Sequence, residues 1–250
     1  MSQRIRILSY NIHKGFTFGN LKYILDSIKK SIQAVHADIV CLQEVIGDHT
    51  KHSSEIENWP VTSQFEFLAD NVWNHYAYGK NAVYTDGHHG NAVLSKFPIA
   101  DWNNQDISLT PFENRGVLHA ILNNPEKDSK PIHVFCVHLS LLENDRKKQL
   151  QIIAKNINEN VPADEPLIIA GDFNDWRQNA SAILFKSLGM NEVSIEMKGK
   201  HLFTFPSMLP FFALDRIYYR NIKCVHVEVL KKGIWNALSD HLPLVAEFEI

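Results

Sequence analysis

Cysteine is scarce and without obvious pairing in this chain of 250 residues. Cys41, Cys136 and Cys224 form neither a CxxC pair nor a Cys/His cluster, which excludes a disulfide-stapled scaffold and a structural zinc centre. Each lies in an apolar, strand-like run and is expected to be a small core hydrophobe in a reducing, cytoplasmic setting. Long apolar runs are missing too. Nothing reaches the ~18 consecutive apolar residues of a membrane helix, and Arg4 and Arg6 fall where a signal peptide would need an apolar centre. No integral membrane segment is expected. Positive charge has no surplus, since 25 Lys and Arg face 28 Asp and Glu. No chain-wide field therefore draws in nucleic acid, although a local basic patch stays compatible with the sequence. Repeats, low-complexity tracts and Pro/Gly/Ser-rich linkers are absent, so residues 1–250 are expected to form a single domain and, by default, a monomer. Hydrophobic residues make up 45% of the chain and charged ones 21%, ample material for a core.

What is present is an irregular alternation of strand and helix patterns. RIRILSYN puts Ile5 and Ile7 on one face and ends at Asn11. In LKYILDSIKKSIQAV, residues Leu21, Ile24, Leu25, Ile28, Ile32 and Val35 recur at helical spacing, with Asn20 as N-cap. DIVCLQEV reads as a buried strand reaching Glu44, and IHVFCVHLS as another reaching His138. Leu150, Ile153, Ala154 and Ile157 mark a second amphipathic helix, and LIIAGDFNDW gives a strand followed by a helix ending near Gly189. GNAVLS, GVLHAIL and DRIYYR read as further strands. In LPLVAEFEI, Leu244, Ala246, Phe248 and Ile250 alternate with Val245, Glu247 and Glu249, the period of a half-buried strand.

LIIAGDFNDW raises the sharpest question, because a buried strand opens onto Asp172, Asn174 and Asp175, groups costly to desolvate together. Taken singly, such residues cap helices and make turns. Yet Asn11, Glu44, His138 and Asp172 all stand at or just past the C-terminal end of an apolar strand, while Asp215 and the pair Asp240 and His241 stand just before the start of one. To meet at one edge, the first four strands must run toward it and the last two away, which demands mixed or antiparallel sheets. Carboxylates and amide oxygens suit Mg²⁺ or Mn²⁺. A metal held by Glu44, with Asn11 nearby, would polarise a phosphoryl oxygen, Asp172 could orient or deprotonate a water, and the histidines could stabilise charge or protonate the leaving oxygen. No Cys or Ser stands among them as a nucleophile, so hydrolysis by water without a covalent intermediate is expected.

In order along the chain, SYNIH, CLQEV, GNAVLS, NRGVL, VHLS, GDFND, LDRIYY and LSDHLPL resemble the motifs of the endonuclease/exonuclease/phosphatase superfamily, the group of deoxyribonuclease I, abasic-site endonucleases, neutral sphingomyelinases and inositol polyphosphate 5-phosphatases. The match runs from Asn11 to Pro243. The resemblance implies an α/β (α+β) fold, a four-layer α-β-β-α sandwich of two packed mixed β-sheets flanked by helices. It implies that Glu44 is the principal metal ligand, with Asn11 beside it on metal or phosphate and Asp240 in metal binding or support. Asp172 takes the role of the water-activating or second-metal carboxylate, and Asn174 that of the amide holding the scissile phosphate. His241 resembles the phosphate-contacting histidine, oriented by Asp215, and Arg115 the arginine that approaches substrate phosphate. His138 matches the histidine of deoxyribonuclease I and the sphingomyelinases, where abasic-site endonucleases carry a tyrosine. The implied activity is that of a divalent-metal-dependent phosphoesterase with Mg²⁺, or Mn²⁺, as cofactor. A phosphodiester is the favoured substrate, in a nucleic acid, a phospholipid or a small molecule.

Other features carry two readings each. Gly90 and Asn91 read as structural, and His88 and His89 point to opposite faces of a strand, so only one can reach a pocket. Trp176 and Arg177 are rim candidates whose simpler reading is packing and solvation. LFTFPSMLPFF, Leu202 to Phe212, is either a loop covering the core or an apolar surface that receives a lipid or another apolar part of a substrate. A nuclease would gain from a basic cluster interleaved with aromatics, which the sequence lacks. The rival to an enzyme is a catalytically silent binding module using the same cleft.

Overall fold

Two six-stranded sheets lie face to face. The structure, a computed structural model, describes residues 3–126 and 129–250. The first sheet has the order β3 (His75–Tyr84), β4 (Gly87–Ser95), β2 (Ile39–His49), β1 (Arg4–Asn11), β12 (Leu244–Glu249), β11 (Lys223–Val229). The second has β5 (Ile99–Asp106), β6 (Gly116–Leu122), β7 (Ile132–His138), β8 (Leu167–Asp172), β10 (Asp215–Arg220), β9 (Asn191–Glu192). In each sheet the central pair is parallel, β2 with β1 and β7 with β8, and every other pairing is antiparallel. A parallel pair needs a crossover, and helices supply both: α1 (Leu25–Ala34) between β1 and β2, α4 (Glu143–Asn160) between β7 and β8.

Side-chain alternation assigns each strand residue to a layer. Ile5, Ile7, Cys41, Ala246 and Phe248 of the first sheet meet Val134, Cys136, Ile168 and Ala170 of the second in the central core. On the outer face of the first sheet, Leu8, Tyr10, Val40 and Leu42 pack with Leu25, Ile28 and Ile32 of α1, with α3 (Gln64–Ala69) and with α7 (Trp235–Leu238). On the outer face of the second, Phe135, Val137 and Ile169 pack with Leu150, Ile153 and Ile157 of α4 and with α5 (Ala180–Leu188). The result is the expected α-β-β-α sandwich. Each fully buried aliphatic side chain contributes about 1.5–3 kcal/mol of transfer free energy, so the layering follows from the pattern. Two short helices, α2 (Thr50–Glu55) and α6 (Val193–Lys198), and two 3-10 turns complete the helical elements among the described residues.

The first helix begins later than its spacing predicts. Asn20 has a left-handed φ of 57° and does not cap it. Thr17 to Lys22 instead close a turn through Thr17 N–H to Lys22 O at 2.9 Å, Phe16 bridges Tyr23, and α1 starts at Leu25. Leu21, counted by spacing as a core residue, is exposed. α5 ends as expected, with Gly189 at φ 66° and its N–H bonded to Phe185 O. Gly90 lies inside β4 and Asn91 ties the sheets together, donating to Gly116 O at 3.0 Å and Cys136 O at 3.2 Å.

Candidate active site

The paired parallel strands deliver their C-terminal ends to one edge of the sandwich, and β10 and β12 start there. A cavity of about 340 Å³ opens at that edge, lined by Glu44, Arg115, His138, Asp172, Asn174, Asp240 and His241 among others. Asn11 and Asp215 are buried one layer behind this surface, bonded to the residues that form it. All the predicted site residues therefore converge, seven on the cavity wall and two supporting it.

Local backbone geometry explains how Glu44 reaches the cavity from the middle of β2. Opposite β4 the register slips between Leu42 and Val45, leaving Gln43 and Glu44 in a bulge, and Glu44 takes φ 55°. A bulge re-aims side chains, and a non-glycine residue with φ > 0 is a strained conformation that persists only under firm constraint. Gln43 fills the core against Cys136 Sγ at 3.2 Å, while Glu44 faces out. Asn174 is strained likewise, at φ 49°, and held by its N–H to Asp172 Oδ1 at 2.9 Å and its side-chain amide to Leu139 O at 2.9 Å. Gly171, preceding Asp172 at φ 149°, is required by crowding: a Cβ there would lie 2.0 Å from Val137 O.

A chain of hydrogen bonds orders the ionisable groups. Asp215 Oδ2 lies 2.8 Å from His241 Nδ1, and His241 Nε2 lies 3.6 Å from Asp172 Oδ2. His138 Nε2 stands 3.6 Å from the same Asp172 oxygen. Asn11 donates to Asp172 Oδ2 at 3.1 Å and to Glu44 Oε1 at 3.5 Å, while its own oxygen accepts from His13 N–H at 3.1 Å. Burial opposes charge on His241, but Asp215 and Asp172 outweigh it and lift the imidazole to about 10. Burial, reinforced by Asp215, raises Asp172 to about 6. Burial would also raise Glu44, yet His138, Lys14, His13 and His241 overcome it and hold the carboxyl at about 2. His138 is pushed well down, by burial and then by Arg115. At neutral pH Glu44 is thus ionised, His241 an imidazolium and His138 a neutral imidazole.

Arg115 lines the cavity as the resemblance implies, and its Nη2 also pairs with Glu113 at 2.8 Å. Asp175 answers the question of the crowded loop: its carboxylate caps Ala180 N–H at 2.8 Å and pairs with the buried Arg216 at 3.3 Å, leaving Asp172 and Asn174 to the cavity. Trp176 lines the cavity, and Arg177 pairs with Glu143. His89 reaches the wall, while His88 turns to Tyr78 Oη at 3.0 Å.

Sequence reasoning passed over His13 and Lys14. His13 Nδ1 lies 3.4 Å from Asp240 Oδ1, and Lys14 Nζ lies 3.7 Å from Glu44 Oε2. Both have positive φ, and the Gly after Lys14 was the available turn signal. Leu214 was missed as well, and it forms an apolar wall with Phe205 of the Leu202–Phe212 stretch, whose ring lies 4.9 Å from the His241 ring.

The donors fit a hard divalent cation. Glu44, Asp172 and Asp240 offer oxygen at one cavity, and Asp215 keeps a buried Oδ1 with no hydrogen-bond partner among the described residues. Asp172, Asp215 and His241 also place one ligating atom each within 4.8 Å of one another. Because Asp215 and His241 already bond each other at 2.8 Å, the Glu44 side offers the freer oxygens.

The chain is 47% identical over 245 residues to the uncharacterized protein YbhP of Escherichia coli K12, covering 98% of this chain and 96% of that one. Its fold is similar to that of D. rerio TDP2 complexed with a single-strand DNA product, with TM-score 0.72, 19% identity, and coverage of 99% and 100% of the two chains. It is similar also to the mannosyl-6-phosphatase Bt3783 of Bacteroides thetaiotaomicron VPI-5482, with TM-score 0.75, 15% identity, and coverage of 98% and 100%. Matched across residues 8–241, this chain belongs to the Endonuclease/Exonuclease/phosphatase family, whose members are generally divalent-metal-dependent phosphoesterases.

Proposed function

We propose that the chain is a phosphodiesterase that hydrolyses a P–O bond by attack of water. The observation that carries this reading is the convergence of Glu44, Asp172, Asn174, Asp240 and His241 on one cavity, with Asp215 Oδ2 2.8 Å from His241 Nδ1 behind it. Glu44 and Asp240 would hold the cation, Mg²⁺ or in its place Mn²⁺, with Asn11 orienting Glu44 from behind. When bound, the cation supplies Lewis-acid polarisation of a phosphoryl oxygen. Arg115, Asn174 and His241 bind the phosphate. Asp172 takes a proton from the attacking water, whose oxygen bonds to phosphorus as the ester oxygen departs. His241, kept cationic by Asp215, neutralises charge gathering on the phosphoryl oxygens, and neutral His138 donates its N–H to them. Three buried cysteines fit a cytoplasmic setting, and no helix among the described residues is long and apolar enough to cross a membrane.

The test is a panel of DNA, RNA, glycerophospholipid and sphingomyelin, assayed with Mg²⁺ and then with EDTA. Hydrolysis of at least one diester, abolished by EDTA and restored by Mg²⁺, is expected. Hydrolysis of none of them overturns the reading and favours a silent binding module, and turnover indifferent to EDTA overturns its metal dependence. Ionic strength separates the substrate classes, since affinity for nucleic acid falls steeply with salt.

A further inference from the structure

The cavity mouth is bordered by apolar side chains turned to solvent. Leu202–Phe212 folds as a tight hairpin in which Phe205 bridges Phe212 and Thr204 N–H bonds Phe212 O at 2.8 Å. Its inner side is tied to the site: Ser207 N–H bonds Asp240 O at 2.7 Å, Ser207 Oγ donates to Ser239 O at 2.7 Å, and Thr204 Oγ1 accepts from Asp215 N–H at 3.2 Å. Its outer side carries Met208 and Leu209, 76% and 74% exposed, with Phe203 and Phe211 also exposed. Elsewhere on the same rim, Leu141 lines the cavity and is exposed together with Leu142. Leu141 N–H bonds Glu113, whose neighbour Phe112 is exposed as well. Single exposed apolar residues are ordinary, but a rigid group of them around one opening marks an interaction surface.

Charge specifies the occupant. Across residues 198–212 and 229–234 the chain carries Lys198, Lys200, Lys231 and Lys232 and no Asp or Glu, although the whole molecule has a net charge of −3. All four lysines are exposed, and Lys200 and Lys231 share a groove of about 250 Å³ with Phe203 and Pro210. Of the flanking acids, Glu192 pairs with His201 at 3.3 Å and Glu228 with His226 at 3.5 Å, while Glu196, two residues before Lys198, is exposed. Apolar tips that enter a lipid interface, rimmed by lysines that meet acidic headgroups, are the components of peripheral membrane binding. We infer that this face docks on a membrane of anionic phospholipid, with the hairpin tip in the interface and the cavity mouth beside it. Ser207 and Thr204 fix the hairpin in advance, so docking orders little new chain. Docking needs no hydrolysis and goes beyond the phosphodiesterase reading, so either can hold when the other falls.

Co-sedimentation of the full chain with vesicles is the test. Vesicles of phosphatidylglycerol and phosphatidylcholine should bind at least about tenfold more tightly than phosphatidylcholine alone, with the difference shrinking as salt rises. M208S/L209S and K231E/K232E should each weaken binding about tenfold or more while their circular dichroism matches the parent. E44Q should bind vesicles as the parent does, so a protein that docks without hydrolysing any diester upholds the docking and refutes the chemistry. Equal affinity for neutral vesicles, no binding, or folded variants that bind undiminished overturns the proposal. So does a dimer that M208S/L209S splits, since the face would then belong to a second copy.

Discussion

β7 carries a buried histidine near each end, and the two belong to clusters of opposite character. At its C-terminal end His138 joins His241, Asp172 and Asp215. At its start, His133 Nδ1 lies 2.9 Å from His119 Nε2, and His133 Nε2 lies 2.6 Å from Glu165. His119 stacks on Phe135 with ring centroids 4.0 Å apart, and burial pushes it down to about 4. His241, buried as deeply, stands at about 10. Burial alone makes an imidazole neutral, and a carboxylate in direct contact reverses that. Glu165 touches His133 and not His119, so one intervening ring suffices to remove the effect.

The contrast can be broken most forcefully at the charged end. E44Q should lower kcat at least about 10³-fold on any diester the protein cleaves, with the fold intact by circular dichroism; a loss below tenfold would remove Glu44 from the metal site. D215N takes away the carboxylate that charges His241. A fall in kcat of about 10²–10³-fold is expected, together with a downward move of the His241 titration seen by NMR. An unmoved titration would assign the charge to Asp172 alone.

The neutral end is probed by stability. His119 takes up its proton near 6.5 in the unfolded chain and near 4 in the folded one. Between those values the unfolded state binds more protons, so stability is full above about pH 6.5 and declines as pH falls toward 4. At about 1.4 kcal/mol per unit the decline reaches about 3 kcal/mol, and H119Q should flatten that part of a urea-denaturation series. A parallel slope in the variant would place the acid sensitivity elsewhere. The smallest effect belongs to the loop that leads into β12 and ties it to the end of β1. Ser239 Oγ donates to Asn11 O at 2.7 Å, and S239A should cost about 1 kcal/mol, or about 2–4 °C in Tm, with no pH dependence.

The sequence made strand directions legible because a period-two pattern and a polar residue at its end need only local information. β1, β2, β7 and β8 run toward the site and β10 and β12 away from it, as Asn11, Glu44, His138, Asp172, Asp215 and His241 together required. What stayed hidden depends on partners far along the chain. Glu44's bulge is defined only against β4, and Asp215's place behind His241 only by the stacking of the sheets. The helix expected from Leu21 failed for a local reason, since the Phe16 to Tyr23 bridge pre-empts its first turn. Arg216 was the overlooked clue: an arginine inside an apolar strand needs a buried acid, and Asp175 is that acid.

β1 is flanked by β2 on one side and by β12 on the other, pairing Arg4 with Glu249 and Ser9 with Leu244. β1 therefore keeps one border open until β12, far along the chain, has been synthesised. Asp240 and His241 lie just before that strand, so the centre stays incomplete until β12 docks beside β1.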